Sequence, residues 1–189
     1  MKRNKFIAAL ITLTTSPAIL ISQTKLLLNS AAKGFEVDAG KDRNDKPISL
    51  FEGDTFFTKV STADTNGALY MFESARDKKG GPPLHYHYEQ DEWWYILEGE
   101  FLFKVGDKTF TAKKGDSVFG SRMVPDAFAK TNDGPARLMM AFQPAGKMEE
   151  HFKNRSEGLY DKLTKEGEHK IRQQHGFEVT GPALTYEKR

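Results

Sequence analysis

From Ile48 to Gln143 the chain alternates between short apolar runs and clusters of turn residues. The runs read ISLF, TFFTKVS, ALYMFES, LHYHY, EWWYILE, EFLFKV, KTFTA, SVFG, AFAKT and ARLMMAF. Between them stand Gly53-Asp54, Asn66-Gly67, Gly80-Gly81-Pro82-Pro83, Gly99, Gly106-Asp107, Gly115-Asp116 and Asn132-Asp133-Gly134. Many short strands at such regular spacing predict an all-β sandwich or barrel. EFLFKV-GD-KTFTA reads as a hairpin, because Gly106-Asp107 can supply its two turn residues. Phe101, Phe103 and Val105 then share one face of the strand, and Leu102 and Lys104 the other.

After Gly146 the period becomes helical, in KMEEHFKN and again in GLYDKLTKEGEHKIRQQHG. Leu159, Leu163 and Ile171 are expected to face the barrel, with Gly176 ending the helix. FEVTGPAL reads as a final extended strap. Upstream, residues 33–47 are charged and hold Gly34, Gly40 and Pro47, which predicts a linker with one short strand at Phe35–Val37. The expected organisation is an N-terminal segment 1–32, a linker or strap 33–46, a barrel 47–146 and a helical extension with strap 147–189.

Lys2, Arg3 and Lys5 precede a mostly apolar, uncharged stretch from Phe6 to Ile21. That is the layout of a secretory signal peptide, with a small-residue cleavage site after Ala32. The stretch falls short of the ~20 apolar residues a membrane helix needs. The other reading is an N-terminal amphipathic helix. The first places the mature chain in the periplasm or cell envelope, the second in the cytoplasm.

Composition narrows the classes further. A chain of 189 residues accommodates one domain of ordinary size with tails. The formal charge is only +2 and the body of the chain holds no basic run, so no nucleic-acid partner is expected. No cysteine is present, which excludes disulfides, thiolate metal sites and cysteine nucleophiles. Fourteen Phe favour a β-rich core.

Chemistry concentrates in GPPLHYHYEQDE, residues 81 to 92. On a strand His85 and His87 project to one side, and Glu92 follows on the return strand, where it can fold back over them. Two imidazoles and a carboxylate suit divalent Fe, Mn, Ni or Zn. His-x-His alone is a weak signal, and an acid after it inside an all-β pattern strengthens it. Two inward imidazoles without a partner would be costly to bury.

GGPPLHYHYEQDEWWYILEGE resembles the cupin family of small β-barrels, and within it the single-domain, quercetin-dioxygenase-like type-2 cupins. His85, His87, Glu92 and Gly99 match the first cupin motif in type and spacing, while the leading glycine is displaced to Gly80-Gly81. The second motif aligns without gaps over GDSVFGSRMVPDAF but departs in its residues. Ser121 stands for its Pro, Met123 for its Gly, Asp126 for its His and Lys130 for its Asn. The resemblance covers roughly residues 47 to 146, and the HGFEVTGPAL tail is similar to a strap in relatives. It implies a single cupin β-barrel, a double-stranded β-helix or jelly roll, with C-terminal helices, acting as a homodimer.

Such cupins hold a metal with three His and one Glu, so Asp126 opens three readings. His85, His87, Glu92 and Asp126 all bind the metal. Alternatively only the first three bind, and Asp126 serves as a base or outer partner. In the third reading the metal is lost and the barrel holds an organic ligand. The resemblance implies a dioxygenase, isomerase or lyase of a small organic substrate, with Glu92 and Asp126 as catalytic candidates. The rival is a non-catalytic module that binds a small molecule. Phe119, Met123 and Phe128 are expected to line the cavity. Trp93, Trp94 and Tyr95 should divide between inner and outer faces. His151, His169 and His175 are expected to face solvent.

Overall fold

The computed structural model describes residues 34–50 and 53–185. The segment read as a signal peptide or N-terminal helix lies outside the described residues. Among the described residues, no helix is long and apolar enough to cross a membrane.

The apolar runs become ten strands: β1 Ile48–Leu50, β2 Asp54–Val60, β3 Tyr70–Arg76, β4 Pro83–His87, β5 Asp91–Glu98, β6 Glu100–Val105, β7 Lys108–Lys113, β8 Ser117–Gly120, β9 Asp126–Lys130 and β10 Ala136–Gln143. Two helices follow, α1 Met148–Ser156 and α2 Lys165–Gln174, and then the strap β11 Phe177–Ala183. The strands form two antiparallel sheets, in the orders β1-β2-β3-β10-β5-β8 and β11-β4-β9-β6-β7. The alternating pattern predicts this all-β architecture, and the resemblance implies its jelly-roll form. The β6–β7 hairpin turns at Gly106-Asp107, where Val105 pairs with Lys108 and Gly106 takes the left-handed φ of 57° that the turn requires.

Period-2 alternation fills the interior. Phe101 and Phe103 are fully buried on β6, Trp94 and Ile96 on β5, and Tyr70 and Phe72 on β3. The rings interlock. Phe56 and Phe72 lie 4.2 Å apart, centroid to centroid, and Phe152 of α1 meets Phe72 edge-on at 5.7 Å. Each such ring contributes on the order of 1.5–3 kcal/mol by leaving water, and edge-on pairs add a little more. One charged pair sits in this interior: the Arg76 guanidinium is 2.5 Å from Asp54 Oδ2 and lies over the Phe128 ring. The Lys130 ammonium, also buried, donates to the Asp77 carbonyl at 2.7 Å.

Three expectations need correction. Residues 35–37 form no strand. No neighbouring strand pairs with them, and the adjacent chain is held instead by the Asp42 carboxylate, which accepts from the Asn44, Lys46 and Thr58 amides. Leu159 and Leu163 are exposed. The chain leaves the helix at Gly158, with φ of 74°, and turns Tyr160 inward in their place. The helical pattern from residue 158 is therefore realised only from Lys165, where Thr164 caps α2 by accepting from the Gly167 amide.

Gly81 fixes how closely the loop before β4 approaches β9. A Cβ there would lie 1.7 Å from the Phe128 carbonyl oxygen, and backbone cannot move aside as a flexible side chain can. Gly81→Ala is expected to lower stability by about 1–3 kcal/mol, the usual range for overpacking. A urea midpoint within error of the parent would contradict this close approach.

Candidate metal centre

The two sheets deliver one site between them. β4 contributes His85 and His87 from the five-stranded sheet, and β5 contributes Glu92 from the six-stranded sheet. His85 and His87 are two apart on one strand, so both point into the interior, with ring centroids 5.1 Å apart. One ligand atom from each of His85, His87 and Glu92 lies within 4.8 Å of the others. Glu92 Oε2 is 3.4 Å from His87 Nε2 and 4.0 Å from His85 Nε2.

The ring chemistry is set locally. His85 Nδ1 is 2.9 Å from the Pro83 carbonyl. A carbonyl only accepts, so Nδ1 carries the hydrogen and Nε2 keeps a lone pair toward Glu92. A metal-bound histidine is held in this way. Burial, and then His87, pushes His85 down to about 3. Burial pushes His87 down to about 4. Both imidazoles are therefore neutral at ordinary pH, as a metal requires of them. The Gln90 side chain approaches the His87 ring without closing a well-formed hydrogen bond, and Glu92 Oε2 has no hydrogen-bond partner. Buried groups left in this state cost about 1–3 kcal/mol each, and a shared cation would satisfy His87 Nε2 and Glu92 Oε2 together. The donor set, two neutral imidazoles and a carboxylate, fits a divalent transition metal.

Asp126 opens β9 directly across from His85. It is buried, and its Oδ1 has no hydrogen-bond partner. It stands beside the close group of three rather than within it. Gly120 makes room for it: a Cβ there would lie 2.9 Å from Asp126 Oδ2 and 3.0 Å from the Trp94 ring. Burial, and then the Glu92 carboxylate, pushes Asp126 up to about 9. Burial also holds Glu92 well above the usual carboxylate range.

A raised carboxyl takes up a proton on folding. Its contribution is complete below pH ~4 and is lost as pH rises through the folded value near 9. The lowered histidines act in the opposite direction: their contribution is complete above pH ~6.5 and is lost as pH falls toward 3–4. The metal-free chain is thus expected to lose stability between pH 6 and 9, and Asp126→Asn should flatten that fall. Urea midpoints across this range test it, and identical slopes for parent and variant would contradict it.

Two of the expected cavity residues turn away from the interior. Phe119 is 56% exposed on β8, where Val118 and Gly120 take the inner positions. It faces out across the sheet from Trp93. Met123 is 59% exposed. It adopts the left-handed φ of 64° that the glycine of the second motif would favour, and its amide donates to the His87 carbonyl at 2.8 Å. Its backbone, not its side chain, serves the site. Phe128 does point inward, within the packed core beside Trp94 and Phe103. Trp94 faces in, while Trp93 and Tyr95 stack with each other at 6.1 Å on the outer side. A surface groove of about 460 Å³, lined by Val37, Lys59, Glu73 and Met139, involves none of the site residues.

Two tail histidines overturn the solvent-facing expectation. His151 and His175 are buried, and only His169 is partly exposed. The His151 ring lies 4.9 Å from Phe177, which in turn lies 5.7 Å from His87. Gln90 is also buried. A Cβ on Gly146 would fall 1.8 Å from its Nε2, so this glycine leaves the slot that the amide fills.

The fold and site define a double-stranded β-helix barrel with an inward His₂-carboxylate group. The cupin domain model matches residues 75–158. Over those residues the barrel of this chain is similar to cupin domains. Among solved structures, KdgF from Halomonas sp. superposes with a TM-score of 0.50 at 13% identity, covering 59% of this chain and 94% of that one. An RmlC-like cupin from Shewanella frigidimarina NCIMB 400 gives 0.47 at 19% identity, over 60% of this chain and 92% of that one. At these identities the likeness is one of fold. An uncharacterized protein of Methanocaldococcus jannaschii is 31% identical over 61 residues, 32% of this chain and 49% of the relative. The chain spans about half the length of that curated relative.

Proposed function

We propose that this chain is a metal-dependent enzyme acting on a small organic molecule. His85, His87 and Glu92 are the ligands and Asp126 is the proton-holding group beside them. The observation that carries this reading is the convergence of three buried donor atoms, within 4.8 Å of one another, from strands of opposite sheets. A bound divalent ion supplies Lewis-acid polarisation of a substrate oxygen, or a partner for O₂. The chain's own residues do the rest. Pro83 fixes the His85 tautomer. The rings of Phe142 and Phe177, 5.2 and 5.7 Å from His87, keep water from its flank. Asp126 Oδ1, buried and unpartnered, can give a proton to a substrate atom or take one from it. Dioxygenase, isomerase and lyase chemistry all draw on these elements.

The second reading, a non-catalytic small-molecule binder, draws on Asp126 standing where the family pattern has histidine. An open coordination position separates the two, since an enzyme needs one. Cobalt-loaded protein is expected to show visible bands that shift and saturate on adding azide. Bands that ignore azide would favour the binder. If no bands form at all, the metal site itself is refuted.

A further inference from the structure

A second pair of imidazoles lies beneath the helical cap. His151 comes from α1, and His175 follows the end of α2. Both are at least nine-tenths buried, and so is Tyr160, from the segment that joins the helices. Nothing in the proposed reaction uses them.

Their rings are spaced like those of the barrel pair. The His151 and His175 ring centroids are 5.1 Å apart, the same separation as His85 and His87. His175 Nδ1 is 2.7 Å from the Ile171 carbonyl. That carbonyl can only accept, so Nδ1 bears the hydrogen and Nε2 keeps its lone pair, as in His85. His175 Nε2 is buried with no hydrogen-bond partner, and so are His151 Nδ1 and the Tyr160 hydroxyl. Glu150 Oε1 lies 3.9 Å from His175 Nε2, on a side chain that is 60% exposed and can turn inward. Burial, and then His175, holds His151 far below its usual value, so its ring stays neutral.

Buried ring nitrogens without hydrogen-bond partners, beside a carboxylate, suit a cation. The nearby cations are partly engaged already: Arg172 meets Glu168 at 3.6 Å, and Arg155 lies over the Tyr160 ring. The Phe177 ring walls this cluster off from the barrel site, 4.9 Å from His151 and 6.0 Å from His85.

We propose that His151 and His175, with Glu150 as third donor, form a second binding site for a divalent ion of borderline softness such as Zn²⁺, Ni²⁺ or Cu²⁺. The ion would tie α1 to the entry of β11 and so hold Phe177 against the barrel histidines. Two imidazoles and a carboxylate are a competent set for these ions.

The test uses the full chain carrying His85→Ala and His87→Ala, stripped with chelator and titrated with Zn²⁺ by calorimetry. Metal content after desalting is measured alongside. One Zn²⁺ per chain is expected in this background, with a rise in melting temperature. Adding His175→Gln should abolish both, with folding checked by circular dichroism. Glu150→Gln, on an exposed side chain that leaves folding intact, should weaken Zn²⁺ binding by about tenfold or more. A folded double variant that binds no Zn²⁺ would overturn the proposal, as would binding unchanged by both further substitutions. Failure of the barrel site alone would show differently: the unmutated chain would then bind no more Zn²⁺ than the double variant.

Discussion

His87→Ala is expected to remove one divalent ion per chain from the barrel site, together with the thermal stabilisation that the ion confers. The reasoning separates packing from ligation. In the metal-free chain the His87 ring is buried with no well-formed hydrogen bond beyond the approach of Gln90, so it stabilises the fold mainly through contacts with Phe142 and Phe177. Truncating it costs packing but also relieves an unmet polar demand, and the metal-free melting temperature should change little. In the loaded chain the loss is larger. An ion present at a hundredfold over its Kd stabilises the folded state by ~2.7 kcal/mol, and this contribution should vanish in the variant. Glu92→Gln should act in the same way while keeping the side-chain volume. Melting curves with and without added metal, paired with metal content, provide the check. A variant that keeps the full metal-dependent shift would show that these residues are not ligands.

The alternating pattern made the barrel legible because each strand has one buried face, and such strands must display period two. His85, His87 and Glu92 were legible for the same reason, since spacing on a strand fixes direction. Phe119 and Met123 were misplaced because the cavity reading rested on apolar character rather than on alternation. Phe119 sits one residue from Val118 and Gly120, so the period that buries those two turns it outward. Met123 lies in a turn, where no period applies. His151 and His175 were missed for a physical reason as well. Histidine is neither strongly apolar nor strongly polar, and the helices that carry it are short and highly charged. Only tertiary packing of the cap on Phe177 decides which side chains go in. The role of Asp126 depends on its approach to Glu92 across the barrel, a contact between opposite sheets that no local spacing encodes.

Trp94→Ala is expected to be the most damaging single change in the core, costing about 3–5 kcal/mol. At 2–4 °C per kcal/mol for a chain of this size, the melting temperature should fall by roughly 6–20 °C. Trp94 is fully buried, meets Phe103 at 5.4 Å and Phe128 at 6.2 Å, and presses on Gly120 from within. Its removal leaves a hole that the two antiparallel sheets cannot close without losing register. Trp94→Phe should cost less than the alanine change, because the indole N–H is itself buried without a partner. Phe119→Ala, on the outer face, should stay within about 0.5 kcal/mol. The chain has two tryptophans, so fluorescence gives an independent reading. Trp93 donates to Ser117 Oγ at the surface, and loss of Trp94 should remove the blue-shifted component of the emission. Because Gly120 touches both Trp94 and Asp126, the same hole admits water beside Asp126. Its carboxyl should then move back toward its ordinary range, so the alkaline loss of stability in the metal-free chain should flatten in Trp94→Ala as it does in Asp126→Asn. A variant that melts lower yet keeps the parental slope between pH 6 and 9 would show that Asp126 owes its raised value to Glu92 rather than to the dry wall that Trp94 provides.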